Sequence, residues 1–179
     1  MNKMSKVGCA ILSIVFLICG VYHLHKAFSN TSETSSKDSN KIGTVMIGES
    51  ASDKDGVEFC VTNVENVKSV GEGYTELKTD NNFVVISVKI TNKSDSPYDV
   101  NTLCFLLTDG GSEYEYSADA LLSVENHMYL DTINPNLSKE YVIVYETATT
   151  TLDTEYKLKI RSSVLSNKDN VYIILKESA

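Results

Sequence analysis

The chain has 179 residues, 42% of them hydrophobic and 22% charged, with only two prolines. That length holds one domain and an appendage, and the composition excludes a wholly disordered chain, a collagen-like one and a polyproline rod. Net charge is −8 and unevenly placed: Lys3, Lys6 and Lys26 precede residue 28, whereas all 24 acids follow it against 13 bases, leaving −11 on the remainder. Such a surface repels phosphates, which argues against nucleic acid as a partner.

Residues 7–24 (VGCAILSIVFLICGVYHL) hold no Asp, Glu, Lys or Arg. As a helix they reach about 27 Å at about 1.5 Å per residue, close to the thickness of a bilayer core. Lys3 and Lys6 precede the run, and the positive-inside bias keeps them in the cytoplasm and sends the acidic body outside the cell. Residues 1–28 are therefore expected to be a single-pass membrane anchor or a signal peptide. Ala27-Phe28-Ser29 provides a cleavage site, and cutting near Ser29 would leave a secreted protein. The apolar run exceeds the usual signal core, and His23, His25 and Lys26 follow it like a headgroup-level stop, which favours the retained anchor. Cys9 and Cys19 lack the setting of a lipoprotein cysteine and are expected to be apolar filler.

Residues 29–42 begin SNTSETSSKDS, rich in hydroxyls and without aliphatic side chains until Ile42. They form a spacer, expected to hold a domain some 20 Å from the membrane.

From Gly43 onward, short β-rich runs alternate with Gly, Asn, Asp or Ser, the pattern of an antiparallel sandwich. A weak strand is expected at Gly43–Ile47. Val57, Phe59 and Val61 then alternate with Glu58, Cys60 and Thr62. In Phe83–Thr91, the set Val84, Ile86, Val88 and Ile90 is expected to face the core. Leu103–Thr108 continues the series, with Leu103, Phe105 and Leu107 inward, and Asp109-Gly110-Gly111 signals a hairpin returning through Glu113–Tyr116. Later strands are expected at Met128–Ile133, Glu140–Glu146, Glu155–Arg161 and Val171–Lys176. Only Ala118–Asn126 looks helical, a short crossing between sheets. Residues 43–179 are long enough for one self-sufficient core.

The succession Gly56-Val57-Glu58-Phe59-Cys60-Val61-Thr62-Asn63-Val64, then Phe83 to Ser94, then Phe105-Leu106-Leu107-Thr108-Asp109-Gly110 with Tyr114, resembles a bacterial domain-of-unknown-function family. The family is exported, immunoglobulin-like and common in Gram-positive bacteria behind lipoprotein signals or membrane anchors. Its fold is similar to that of a secreted mycobacterial immunoprotective antigen. Some members carry a telomeric-repeat-binding name, which the acidic charge and export signal here argue against. The resemblance spans most of Gly43–Ile160, and its motifs speak to architecture rather than activity. Where the family has a Pro-Gly turn this chain has Pro135-Asn136, and Asn tolerates the left-handed conformation. Where it has a phenylalanine stands Tyr145, whose hydroxyl needs a partner if buried.

Candidate chemistry is sparse. Cys60 and Cys104 are the cysteines of the exported part, and two thiols in an oxidising compartment invite a disulfide. The bridge would stabilise by about 4 kcal/mol in the chain-entropy model. The alternative is two separate half-buried thiols, because both occupy strand faces opposite the expected core positions. His127 is read as a loop residue rather than the partner of a nucleophilic cysteine, and His23 and His25 as interfacial anchors rather than metal ligands. Asp53-Lys54-Asp55-Gly56 opens like a calcium loop but lacks the downstream bidentate glutamate, so it is read as a turn. Gly71-Glu72-Gly73 lacks the third glycine and the strand-to-helix setting of a dinucleotide loop. Tyr114 and Tyr116 point the same way from one strand and form the candidate binding patch.

The sequence thus predicts an all-β, immunoglobulin-like antiparallel β-sandwich behind a membrane anchor or signal peptide. It is expected to be a noncatalytic binding or structural module of the cell envelope, outside the cell, without cofactor or metal. Its expected partners are the membrane through residues 7–24 and an envelope protein or cell-wall component. The alternatives are an envelope enzyme or enzyme inhibitor, and a thiol redox module using Cys60 or Cys104.

Overall fold

The computed structural model describes residues 43–148, 155–166 and 169–175. The apolar run 7–24, the expected cleavage site and the spacer lie outside the described residues. Among the described residues no helix is long and apolar enough to cross a membrane.

Among the described residues, eleven strands and one short helix follow in chain order: β1 (Gly43–Met46), β2 (Ser50–Ser52), β3 (Val57–Val70), β4 (Leu77–Asn92), β5 (Tyr98–Val100), β6 (Phe105–Thr108), β7 (Glu113–Tyr114), α1 (Ala118–Leu122), β8 (Asp131–Ile133), β9 (Ser138–Thr147), β10 (Lys157–Arg161) and β11 (Asp169–Ile174). One sheet runs β1-β11-β10-β6-β7 and the other β2-β3-β4-β9, with β5 and β8 paired as a separate ribbon. The protein is a β-sandwich. Val84, Ile86, Val88 and Ile90 of β4 are buried with Val57, Phe59 and Val61 of β3 and with Phe105 and Leu107 of β6, as the alternation predicts. The layers meet where Phe59 packs edge-on against Phe105 at 6.1 Å between ring centroids. The buried Tyr145 hydroxyl donates to the Phe105 carbonyl at 3.2 Å, the partner it needs.

Several expectations need correction. Leu103 does not face inward: it is exposed, and Cys104 is buried instead. A 3-10 turn over Thr102–Cys104, held by the Asn101 side chain on Leu103 N–H, shifts the side-chain phase before β6 begins. The expected strand at Met128 begins only at Asp131. The helix is five residues long, shorter than the expected Ala118–Asn126; it makes the expected crossing from β7 of one sheet towards β9 of the other, and it covers the outer face of the latter. There Ala120 joins Phe83, Val70 and Val144 in a second apolar cluster, so the outward face of β4 is also partly buried. β3 and β4 extend well beyond their expected bounds and make one long hairpin, with register shifts at Val61/Asn63 and Val67/Ser69.

The sandwich has two ends. β1 runs to Met46, a turn brings Glu49 N–H onto Met46 O, and β2 runs back against Glu58–Cys60. β1 therefore has the same sense as β3. Gly43, the start of β11 and the Gly56 turn share one end; the tip joining β3 to β4 stands at the other. Asn136, at φ 61, takes the left-handed conformation expected of the Pro135-Asn136 turn, and its N–H bonds Asn92 O at the Gly43 end.

Candidate binding surface

The hairpin tip spans Gly71–Glu76 and is built by glycine. Gly71 has φ +77, and a Cβ added there would stand 2.5 Å from Thr75 O and 2.8 Å from Ser123 O. The tip thus seats its backbone directly on the end of α1, an approach only glycine permits. A 3-10 turn over Gly73–Thr75 follows, with Thr75 N–H on Glu72 O at 3.1 Å and Glu76 N–H on Gly73 O at 3.4 Å. Below the tip, Val67, Val70 and Leu77 pack with α1 in the second apolar cluster, which stiffens the projection. The Lys68 ammonium reaches back to Asp80 O at 3.1 Å and to Asn81 O.

This construction holds Tyr74 fully exposed at the tip, with Leu122 of α1 at 66% exposure next to Ser123. Exposed Glu72 and Glu76 lie two residues either side of Tyr74 in the chain, and Glu76 pairs with Lys78 at 3.2 Å. Further down β4, Thr79 and Asn81 hydrogen-bond the Glu146 carboxylate and hold it below the ordinary glutamate range. An exposed phenol on a tip whose backbone is seated against α1, at the same end as exposed Leu122 and with Glu72 and Glu76 near it in sequence, offers stacking and apolar contact to a partner. Sequence reading missed Tyr74; the available signal was a large aromatic directly after Gly71-Glu72-Gly73, in a turn that polar residues usually fill.

The residues singled out from sequence lie elsewhere and do not converge. Tyr114 and Tyr116 are half-buried against the main core rather than open to a ligand. The Tyr114 hydroxyl donates to Asp109 at 2.8 Å, its ring lies edge-on to Tyr156 at 6.5 Å, and Tyr116 pairs with Tyr145. Cys60, half-buried on β3, and Cys104, buried before β6, belong to different layers and are both free thiols. Burial pushes the Cys104 thiol up, the direction opposite to that of a reactive thiolate. His127 is exposed in a loop, its Nδ1 3.1 Å from Val124 O. Asp53 Oδ1 accepts from Asp55 N–H at 2.9 Å and Val57 N–H at 2.8 Å, so Asp53-Lys54-Asp55-Gly56 is a turn. Among the described residues no three His, Cys, Asp or Glu side chains stand together as metal ligands.

Comparison with solved structures finds the same fold. The yjhA protein of Bacillus subtilis superposes with a TM-score of 0.55 at 16% identity, covering 73% of this chain and 98% of that one. MPT63, a secreted protein of Mycobacterium tuberculosis, gives 0.56 at 12% identity, covering 78% and 100%. The lipoprotein candidate ycdA of Bacillus subtilis gives 0.52 at 16% identity over 69% of this chain but only 37% of its own length. No curated protein matches. Residues 45–171, most of the chain, match the family described as Domain of unknown function (DUF4352), and the chain belongs to that family.

Proposed function

We propose that this protein is a noncatalytic, extracytoplasmic module of the cell envelope that binds a partner through the end of the sandwich carrying Tyr74 and Leu122. Residues 7–24 anchor it in the membrane and residues 29–42 space it outward. The observation that carries the reading is the placement of the two ends. The chain joins the sandwich at Gly43, and the exposed aromatic stands at the opposite end, where a tethered domain meets the envelope beyond it. A secreted protein and a lipoprotein candidate with similar folds support the extracytoplasmic setting. The immunoglobulin-like reading is supported by the order β3-β4-β9 in one layer and β6-β10-β11 in the other, which follows the A-B-E and C-F-G arrangement of such domains.

Crosslinking and pull-down from intact cells tests the proposal, with the full chain as bait beside the Tyr74→Ser/Leu122→Ser variant. The expected result is a defined set of envelope components captured by the former and reduced at least tenfold with the variant, at equal surface levels. Equal capture by both removes the assigned surface, and digestion of the body by external protease only after cell lysis removes the extracytoplasmic placement.

A further inference from the structure

The β10–β11 connection departs from ordinary turn chemistry. Ser166 N–H donates to Ser163 O at 3.0 Å, which makes Val164 and Leu165 the two central residues of a turn. Such positions favour Gly, Asn, Asp, Ser or Pro, which suit the backbone geometry and the surrounding water. Here Leu165 is 94% exposed and Val164 45%, and neither joins either apolar cluster. Packing within the sandwich does not account for them.

Position suggests what does. β1 and β11 pair in parallel with Gly43 opposite Val171, so the turn leading into β11 stands at the Gly43 end. The 42 residues that join the sandwich there include the uncharged run 7–24. Residues 162–166 (SSVLS) carry no charge, so seating them in a headgroup layer strips no ion of water.

We infer that the Val164–Leu165 turn dips into the interfacial layer of the membrane that holds residues 7–24, and so orients the sandwich with its β3–β4 tip away from the bilayer. The inference rests on the anchored reading above. Two apolar side chains would not hold a free protein on a membrane. A domain tethered by residues 29–42, with a root-mean-square span of about 20 Å, meets the surface at high effective concentration, and a small gain then decides between orientations.

The chain has no tryptophan, so one introduced is a unique reporter. The full-length Leu165→Trp and Tyr74→Trp variants would be reconstituted into phosphatidylethanolamine/phosphatidylglycerol vesicles containing lipids brominated near the headgroups, then washed with alkaline carbonate. The expected result is retention of both proteins, with blue-shifted emission at least halved by bromine for the Leu165→Trp variant and water-like, unquenched emission for the Tyr74→Trp variant. Water-like emission from both in washed vesicles overturns the inference and leaves the anchor standing. Equal quenching of both overturns the fixed orientation. Release of the protein into the wash overturns the anchor and, with it, the inference.

Discussion

Asn92 is a fully buried polar residue that closes the Gly43 end of the sandwich. Its amide donates to Ser96 O and Ile133 O at 2.8 Å each, and its Oδ1 accepts from Ser94 N–H at 3.0 Å and Ser94 Oγ at 2.7 Å. Removing it takes a partner from Ile133 O and from Ser94 N–H, while the Ser94 hydroxyl still reaches Ser96 O at 2.9 Å, so Asn92→Ala is expected to cost about 2 kcal/mol, read as a shift of the urea midpoint without a change in slope. Asp131 works at the surface. The Lys139 ammonium at 2.7 Å, then the Tyr141 hydroxyl at 2.8 Å, hold its carboxyl below the usual range. A folded value below the unfolded one contributes stability above the ordinary carboxylate range, and that stability is lost as pH falls through the lowered value. Glu58, Asp109 and Glu146 shift the same way, whereas burial pushes Asp53 up and offsets a part. Stability is therefore expected to drop as pH falls below about 4. Asp131→Asn should lower stability at neutral pH and flatten that drop, which urea titrations at several pH values would show.

The long β3–β4 hairpin and α1 depend on each other. Gly71→Ala forces a methyl group against two backbone oxygens at a positive φ, so the tip must lift from Ser123. The expected cost is about 2 kcal/mol or more, with faster amide exchange at Val70–Leu77 while Ile86 and Val88 stay protected. This element also shows where the sequence was legible. Strict alternation in Val84–Ile90 gave its register because one face is entirely core. Residues 63–69 (NVENVKS) keep no such period, because their outer face is only partly covered by α1 and two register shifts interrupt the pairing. β2 and β5, at three residues each, are too short to carry a period at all. The inversion of Leu103 and Cys104 has the same root: a 3-10 turn shifts the phase, and nothing in a hydrophobic string marks it. The binding surface was the least legible part, since Tyr74 belongs to it through a contact between Gly71 and Ser123, residues 52 positions apart.

Across the whole sandwich, Cys60 and Cys104 are free thiols rather than a covalent link between layers. In protein alkylated before any reduction, the peptides carrying Cys60 and Cys104 are expected to be labelled individually once unfolded, with Cys104 resisting label in the native state; a linked peptide in the unreduced digest would contradict this. The parallel pairing of β1 with β11 sets how the sandwich answers a pull on Gly43. A pull on Gly43 along β1 acts lengthwise on the ladder from Gly43–Val171 to Met46–Ile174, so its rungs share the strain together instead of peeling one by one. β1 is the first strand such a pull reaches, and its grip on β11 sets how much drag from outside the sandwich withstands before it unravels.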